Sequence, residues 1–342
     1  MPRPQRTELM NAFVAGTTIR VQRSTFMKVD RRKWDLFAQA CDASFKCSAY
    51  NFGANLTQFL FGKRQFFVFY ACNDGFETKV GQCALRFFDG AYHFEDRLQL
   101  LPDFDDYWTA CMRALLSQIG SGRFHYGSLW SMDRDRLGQL EPIEGTRLID
   151  ATRFRMQYVD FSTTEDWDAY ARSLHKNVQR NLKKAALENP DVRIDIRRGP
   201  SAIGLLNRSN AVRKLLFAAK GMAFSKSSAL VRGTFRILTF RHYSVNAAVM
   251  TGTKVVGVFS GTQFGRSMFY IDGGSLPGNR GLSWTLLIAM IRMAYTAAPT
   301  GFFVFGYEIE GSTEAKELIW SRQQCNIVER PSSLFEFAYK IP

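Results

Sequence analysis

Tyr307-Glu308-Ile309-Glu310-Gly311-Ser312 places a phenol, two carboxylates and a hydroxyl directly after the apolar run Phe302-Phe303-Val304-Phe305-Gly306. Groups of these types can take up a proton, hold an ammonium or donate to a developing oxyanion, which is the work of general acid–base catalysis. Position adds to residue type. A short apolar run that gives way to polar residues reads as a buried strand opening into a loop, and in open α/β sheets ligands bind beyond that end of a strand. Glu308 is therefore the expected proton acceptor, with Tyr307 and Ser312 as hydrogen-bond or proton donors. Asp272, at the end of a preceding strand, is a third carboxylate expected to reach the same crevice. Glu310 belongs either to this group or to a helix start, where an acid favours the macrodipole.

These residues need elements to carry them. Ala247 to Met250, Val255 to Thr262 and Met268 to Ile271 read as strands, Leu282 to Ala297 as a helix, and Phe302 onward as a strand, with Tyr270 and Phe303 in the core. The same order occurs earlier. Strand-like Phe66 to Ala71, Val80 to Phe87 and Tyr92 to Phe94 surround the hairpin signal Asp89-Gly90; a helix follows from Pro102-Asp103 to Gly120, then a strand from Phe124 to Leu129. Gly90 and Gly265 are 175 residues apart, while Asp103 and Gly281, like Arg123 and Gly301, are 178 apart. The pattern predicts two copies of one βββαβ unit: an N-terminal arm over 1–16, a first domain over 17–150 and a second over 151–342.

A basic helix lies between the copies. Ser162 and Glu165 have capping-box spacing, Trp167, Tyr170 and Leu174 mark an apolar side, and Asn189-Pro190 ends the pattern. Lys176, Arg180 and Lys184 recur at every fourth position, with Lys183 beside them. Like charges at this spacing repel by a few tenths of a kcal/mol per pair, roughly, so the stripe is either a solvated face or an anion site. Charge is uneven on a larger scale too: residues 1–150 hold 19 Lys and Arg against 17 Asp and Glu, residues 151–342 hold 26 against 14, and the chain has a net charge of +14. Such a field suits a polyanionic partner, whether tRNA, nucleotide phosphates or an anionic membrane surface contacted peripherally, or simply a basic, well-solvated protein.

The 342 residues, 46% apolar with 30 Phe, are enough for two cores. No secretory signal is expected, because Met1 to Gly16 has no apolar core of signal-peptide length, and no membrane span, because Arg292 interrupts the longest apolar helix. Six scattered cysteines without a CxxC, and only four His, argue against a zinc site and for reduced thiols in a cytoplasmic protein. G-x-S-x-G, P-loop and HExxH motifs are absent from the sequence.

Three segments resemble the tandem GNAT-like acyltransferases of the FemAB type and related CelD-like acetyltransferase domains: Ser173 to Ala185, Tyr270-Ile271-Asp272-Gly273-Gly274 with the helix from Leu282, and Phe305 to Ser312 followed by Trp320-Ser321-Arg322. The resemblance implies an α+β (α/β) fold of two tandem GNAT-like domains, each a mixed, mostly antiparallel sheet flanked by helices. It also implies an amide-forming N-acyltransferase without a tightly bound cofactor, taking its acyl group from aminoacyl-tRNA, slightly favoured, or acyl-CoA. The acceptor would be a small-molecule amine, a peptide or a cell-envelope precursor. On the same grounds Lys176, Arg180, Lys183 and Lys184 would face donor phosphates, as would Gly278, Arg280 and Gly281 in the loop before the long helix. Arg322, following the aromatic Trp320, would contact a donor phosphate or the oxyanion, although Ser321 replaces the family's Lys. The first copy would support the fold or hold acceptor. A non-catalytic module binding RNA or an anionic polymer is the reading from another class.

Overall fold

The structure is a computed structural model that describes residues 17–51, 62–73, 75–219, 221–240, 242–276, 278, 280–311 and 316–342. The expected arm over 1–16, Ser312 and the Arg280 side chain lie outside the described residues. The chain divides into two compact units: the described residues up to Phe154 together with Pro331–Pro342, and Arg155–Arg330.

In the first unit β1 (Thr18–Ser24), α1 (Arg31–Ala40), β2 (Lys63–Asn73), β3 (Phe76–Phe88), β4 (Ala91–Phe94), β5 (Gln99–Leu100), α2 (Trp108–Ile119) and β6 (Gly122–Tyr126) follow in order. The sheet runs β1-β2-β3-β4-β6-β13, with β5 beside β3 and β13 (Val328–Tyr339) supplied from the far end of the sequence. Antiparallel pairing prevails, but β4 and β6 are parallel and pair only from Ala91↔Arg123 to His93↔His125. Alternation along the strands turns Phe67, Phe69, Phe124, Phe335 and Phe337 to one side, where Trp108, Met112, Leu115 and Leu116 of α2 cover them.

The second unit contains the end of β7 (Thr146–Asp160), α3 (Trp167–Ser173), α4 (Lys176–Glu188), β8 (Val192–Arg198), α5 (Ile203–Ala219), α6 (Lys226–Thr239), β9 (Ser244–Thr251), β10 (Lys254–Phe264), β11 (Ser267–Ser275), α7 (Arg280–Ala297), β12 (Phe302–Ile309) and α8 (Lys316–Gln323). Its strands are ordered β7-β12-β11-β10-β9-β8. Leu282, Leu286, Met290 and Ala294 recur at every fourth position of α7 and bury one stripe against Phe303, Phe259 and Val178. Each unit thus contains strand, strand, strand, helix, strand in a mixed, mostly antiparallel sheet flanked by helices. Among the described residues no helix is long and apolar enough to cross a membrane, no group of three His, Cys, Asp or Glu is placed to hold a metal, and all six cysteines are free.

Two sequence expectations are corrected. The basic helix is two helices, broken at Leu174-His175, and its first cap is Asp166, whose carboxylate accepts from the Ala169 N–H at 2.7 Å, rather than a Ser162–Glu165 box. Residues 331–342 group with the first unit because β13 bonds to β6 from Phe335↔Tyr126 to Tyr339↔Gly122.

Beyond the short β4–β6 pairing, the first unit is filled by a buried ion network. Arg97 Nη1 lies 3.1 Å from Asp133 Oδ1 and Arg136 Nη2 2.8 Å from the same oxygen. Tyr126 donates to Asp133 at 3.0 Å, and Asp96 accepts from Ser44 and Ser128, each at 2.7 Å. Burial pushes the Asp133 carboxyl up, but Arg97 and Arg136 outweigh it and hold the group below its ordinary range. Removing one member of such a cluster strands the others in a dry interior. Asp133→Asn is expected to lower unfolding stability by about 3–5 kcal/mol in urea titrations at neutral pH. Because the folded pKa is the lower one, the carboxylate's contribution is complete above the unfolded value of about 3.9 and disappears as pH falls through the folded value, so wild type and variant should converge in acid.

Candidate active-site cleft

The cleft exists because β11 and β12 stop pairing before either strand ends. Their parallel register covers Ser267↔Phe302, Met268↔Phe303 and Phe269↔Val304, after which β11 continues to Ser275 and β12 to Ile309. A β-bulge against β10 inserts Ile271 between Tyr270 and Asp272, which face Gly261 and Ser260. A bulge bends its strand and reverses the alternation of side chains beyond it. Tyr270 and Gly273 accordingly share one face, a Cβ on Gly273 falling 2.7 Å from the Tyr270 hydroxyl, while Gly274 looks toward Leu216 of α5 on the other.

Between the separated strands is a cavity of about 150 Å³, bounded by Tyr270 and Gly274 of β11, Phe305 of β12, Ser283, Trp284, Leu286 and Leu287 of α7, Val258 and Phe259 of β10, and Ser321 and Arg322 of α8. Its walls are mostly apolar. Arg322 is the charged residue among them, 8% exposed, and Gly306 lets its guanidinium approach: a Cβ there would sit 3.1 Å from Arg322 Nη2, and φ is +130°. Arg322 Nη1 donates to Gln157 Oε1 at 2.9 Å and to the Tyr307 carbonyl at 3.2 Å. Its Nε is buried with no hydrogen-bond partner among the described residues. Such a donor costs roughly 1–3 kcal/mol if left unmet and marks a place for an acceptor. Burial lowers the Arg322 pKa, opposed by Tyr270, Tyr307 and Glu308. Burial also pushes the Tyr270 phenol up to about 12, helped by Asp272 and opposed by Arg322 and Arg213, so it remains a proton donor at neutral pH.

Glu308 joins this group through Gln157. The Gln157 amide, fully buried on β7, donates to Glu308 Oε2 at 3.2 Å and to Glu329 Oε1 at 3.0 Å while its oxygen accepts from Arg322. One side chain thereby holds the arginine and the carboxylate in fixed relation. Tyr307 is half-buried, its carbonyl bound by Arg322. Glu310 is exposed, its carboxylate 3.6 Å from Arg155 Nε in a solvated pair that also includes Glu329. Trp320 is exposed on α8. Asp272 is not brought to the cleft: the bulge turns it to the opposite face, where its Oδ2 lies 2.7 Å from Arg213 Nε of α5.

Lys176, Arg180, Lys183 and Lys184 are exposed on α4. Arg180 donates to Asn177 at 3.0 Å and Lys184 lies 3.6 Å from Glu188, whereas the opposite side of α4 packs on α7. The start of α4 is tied to the end of α8: the His175 N–H donates to the Gln324 carbonyl at 3.1 Å and the Asn177 amide to Gln324 Oε1 at 2.8 Å. Lys176 is thus held close in space to the helix that carries Arg322. In the loop before α7, Gly278 has φ +83° with open space where a Cβ would stand. Gly281 is different, for a Cβ there would meet Ala185 Cβ at 2.8 Å and the Asn181 carbonyl at 3.0 Å. Its missing side chain is needed for the approach of α4 to α7.

Sequence reasoning did not single out Gln157, Tyr270, Ser283 or Trp284. Gln157 lies on a strand with no clear alternation signal, and Tyr270 reads as core until the bulge is known. Gly273-Gly274 is the available hint, since glycines inside a strand often mark bulges.

The sequence matches no protein-family model and no curated protein. Solved structures do match. FemX superposes with a TM-score of 0.63 at 10% identity, covering 94% of this chain and 97% of that one. A conserved protein of unknown function from Bacteroides thetaiotaomicron gives 0.55 at 12%, covering 94% and 100%, and L-PGS from Bacillus licheniformis gives 0.52 at 11%, covering 91% and 92%.

Gly281→Val is expected to lower stability by about 1–3 kcal/mol in denaturant titrations, because a branched side chain would wedge α4 from α7; Gly281→Ala should cost less. The architecture and the structural matches together show that this chain has the fold of FemX.

Proposed function

We propose that the protein is an amide-forming acyltransferase whose second unit holds the acyl end of an activated donor between β11 and β12. The observation that carries this reading is the buried Arg322 Nε, without a partner at the wall of an apolar cavity, beside a carboxylate positioned through Gln157. Whole-ligand pockets occupy roughly 300–1,000 Å³, so a cavity of about 150 Å³ suits an acyl group and leaves the rest of the donor outside.

The chemistry follows from these placements. The acceptor amine attacks the donor's carbonyl carbon, forming the C–N bond as the carbonyl oxygen becomes an oxyanion. Arg322 Nε–H supplies the hydrogen bond for that oxygen, and the protonated Tyr270 phenol is a further donor on the same face. Glu308 takes the proton the amine sheds. Collapse breaks the bond to the leaving oxygen or sulfur, which receives that proton, restoring Glu308.

Aminoacyl-tRNA is the favoured donor. The flank of Gly281, at the N-terminal turn where a CoA pyrophosphate would look for backbone N–H groups, is taken up by α4, and α4 presents its cations outward. The FemX-type resemblance points the same way. Acyl-CoA is the other donor reading, with Gly278 and Arg280 toward the pyrophosphate. The acceptor is an amine on a small molecule, a peptide or a cell-envelope precursor.

Retained ligand is the direct test: the purified protein should carry tRNA rather than acyl-CoA, read by absorbance ratio and mass spectrometry, and free CoA should not inhibit. Saturable inhibition by micromolar CoA would assign the other donor. Glu308→Gln should lower kcat by about 10²–10⁴-fold with donor affinity little changed; wild-type turnover would remove Glu308 from the reaction. Charge reversal at Lys176, Arg180 and Lys184 should flatten the salt dependence of donor binding, each lost phosphate contact removing roughly 0.7–0.9 from the log–log slope.

A further inference from the structure

The helix α6 (Lys226–Thr239) has its polarity reversed for a surface helix. Toward the protein it presents Gly233, where a Cβ would stand 3.0 Å from Leu206, and Ile237, buried with Ala202 and Leu206. Toward solvent it presents Val231, Phe235 and Leu238, at i, i+4 and i+7 on one stripe, which are 69%, 44% and 53% exposed; Leu230 at its edge is 38% exposed. Water-facing stripes of soluble helices are ordinarily polar, and contiguous exposed apolar groups mark contact surfaces.

Charge identifies what this face meets. From Ser201 to Met250 the sequence has eight Lys and Arg and no acidic residue. Arg232 borders the apolar stripe and Lys226 is exposed in the first turn of α6, and Arg208 and Lys214 are exposed on the neighbouring α5. An apolar stripe bordered by cations, on a helix too short and too polar to cross a bilayer, is the form of a helix that lies in the interface of an anionic membrane. A second copy of this chain would bring the same cations against each other. Single-stranded RNA would call for aromatic platforms for its bases, whereas three of these four side chains are aliphatic.

We infer that the outer face of α6 docks the protein on an anionic lipid surface, with Val231, Phe235 and Leu238 in the headgroup boundary and Lys226 and Arg232 against lipid phosphates. This inference does not depend on the reading of the cleft, which lies on the α7 side of the sheet.

Sedimentation of the full chain with vesicles tests it. Phosphatidylcholine vesicles containing phosphatidylglycerol should carry the protein down and pure phosphatidylcholine vesicles should not. Val231→Glu/Leu238→Glu should reduce the partition coefficient more than tenfold without lowering Tm, since both side chains are already in water. Lys226→Glu/Arg232→Glu should reduce it and weaken its salt dependence. Glu308→Gln should sediment as wild type does, which separates this result from any failure of the catalytic reading. Equal sedimentation of wild type and Val231→Glu/Leu238→Glu would overturn the inference. So would binding to neither vesicle, a dimer abolished by the same double variant, or displacement from vesicles by tRNA that the double variant no longer binds.

Discussion

Three residue pairs of parallel sheet between β11 and β12 set the terms for the rest of the second unit. Parallel strands that kept their ladder would leave no room for a ligand, and strands that never paired would have no fixed geometry. The bulge at Ile271 releases β11, and the glycine at 306 lets a guanidinium into the space released on the side of β12. A buried arginine needs acceptors, and this one is met by an amide oxygen and a main-chain carbonyl rather than by a carboxylate in direct contact. Its charge is oriented without being neutralised. The carboxylate stands one hydrogen bond further away, on the other end of Gln157.

The first unit shows the same opening resolved differently. Its β4 and β6 also pair for three residues and then part, but Arg97, Arg136, Asp133 and Asp96 occupy the region beyond. Aspartates and arginines there pair with each other, whereas Arg322 meets no carboxylate directly, although Arg97 Nε, like Arg322 Nε, is buried without a hydrogen-bond partner among the described residues. Asp96 holds φ at +130°, a backbone conformation uncommon for a side-chain-bearing residue, within hydrogen bonds from Ser44 and Ser128. One opening is filled by side chains; the other keeps a cavity of about 150 Å³.

The order of elements was legible in the sequence because it rests on period and punctuation. The strands around Asp89-Gly90 and Gly265, the helices ended by Gly120 and Pro299, and the polar end of the Phe302 strand are local signals. What was not legible depends on distance or on continuity of pattern. The break at Leu174-His175 is hidden because Tyr170, Leu174, Val178 and Leu182 keep helical spacing across it. Gln157 and Glu308 are brought together over 151 residues, and no local pattern can announce that. Asp272 is expected at the crevice because it ends the strand before the long helix; the extra residue at the bulge turns it to the other face, beside Arg213. Gly281 looked like a phosphate-loop glycine, since a close approach by a neighbouring helix leaves the same mark in a sequence as a close approach by a ligand.

The return of β13 to the first unit makes the second unit an insertion within the first. Both of its chain crossings fall inside strands, at Phe154/Arg155 and Arg330/Pro331, and the entering and leaving segments meet where Arg155 Nη1 lies 3.5 Å from Glu329 Oε2. On the ribosome this reverses the customary order, in which the N-terminal domain finishes first. Residues 155–330 are synthesised as one continuous piece and can complete their sheet while the first unit still lacks the strand beside β6. The nascent first unit must therefore wait, with the β6 edge and one side of its phenylalanine core uncovered, until a segment made after the whole second unit has emerged.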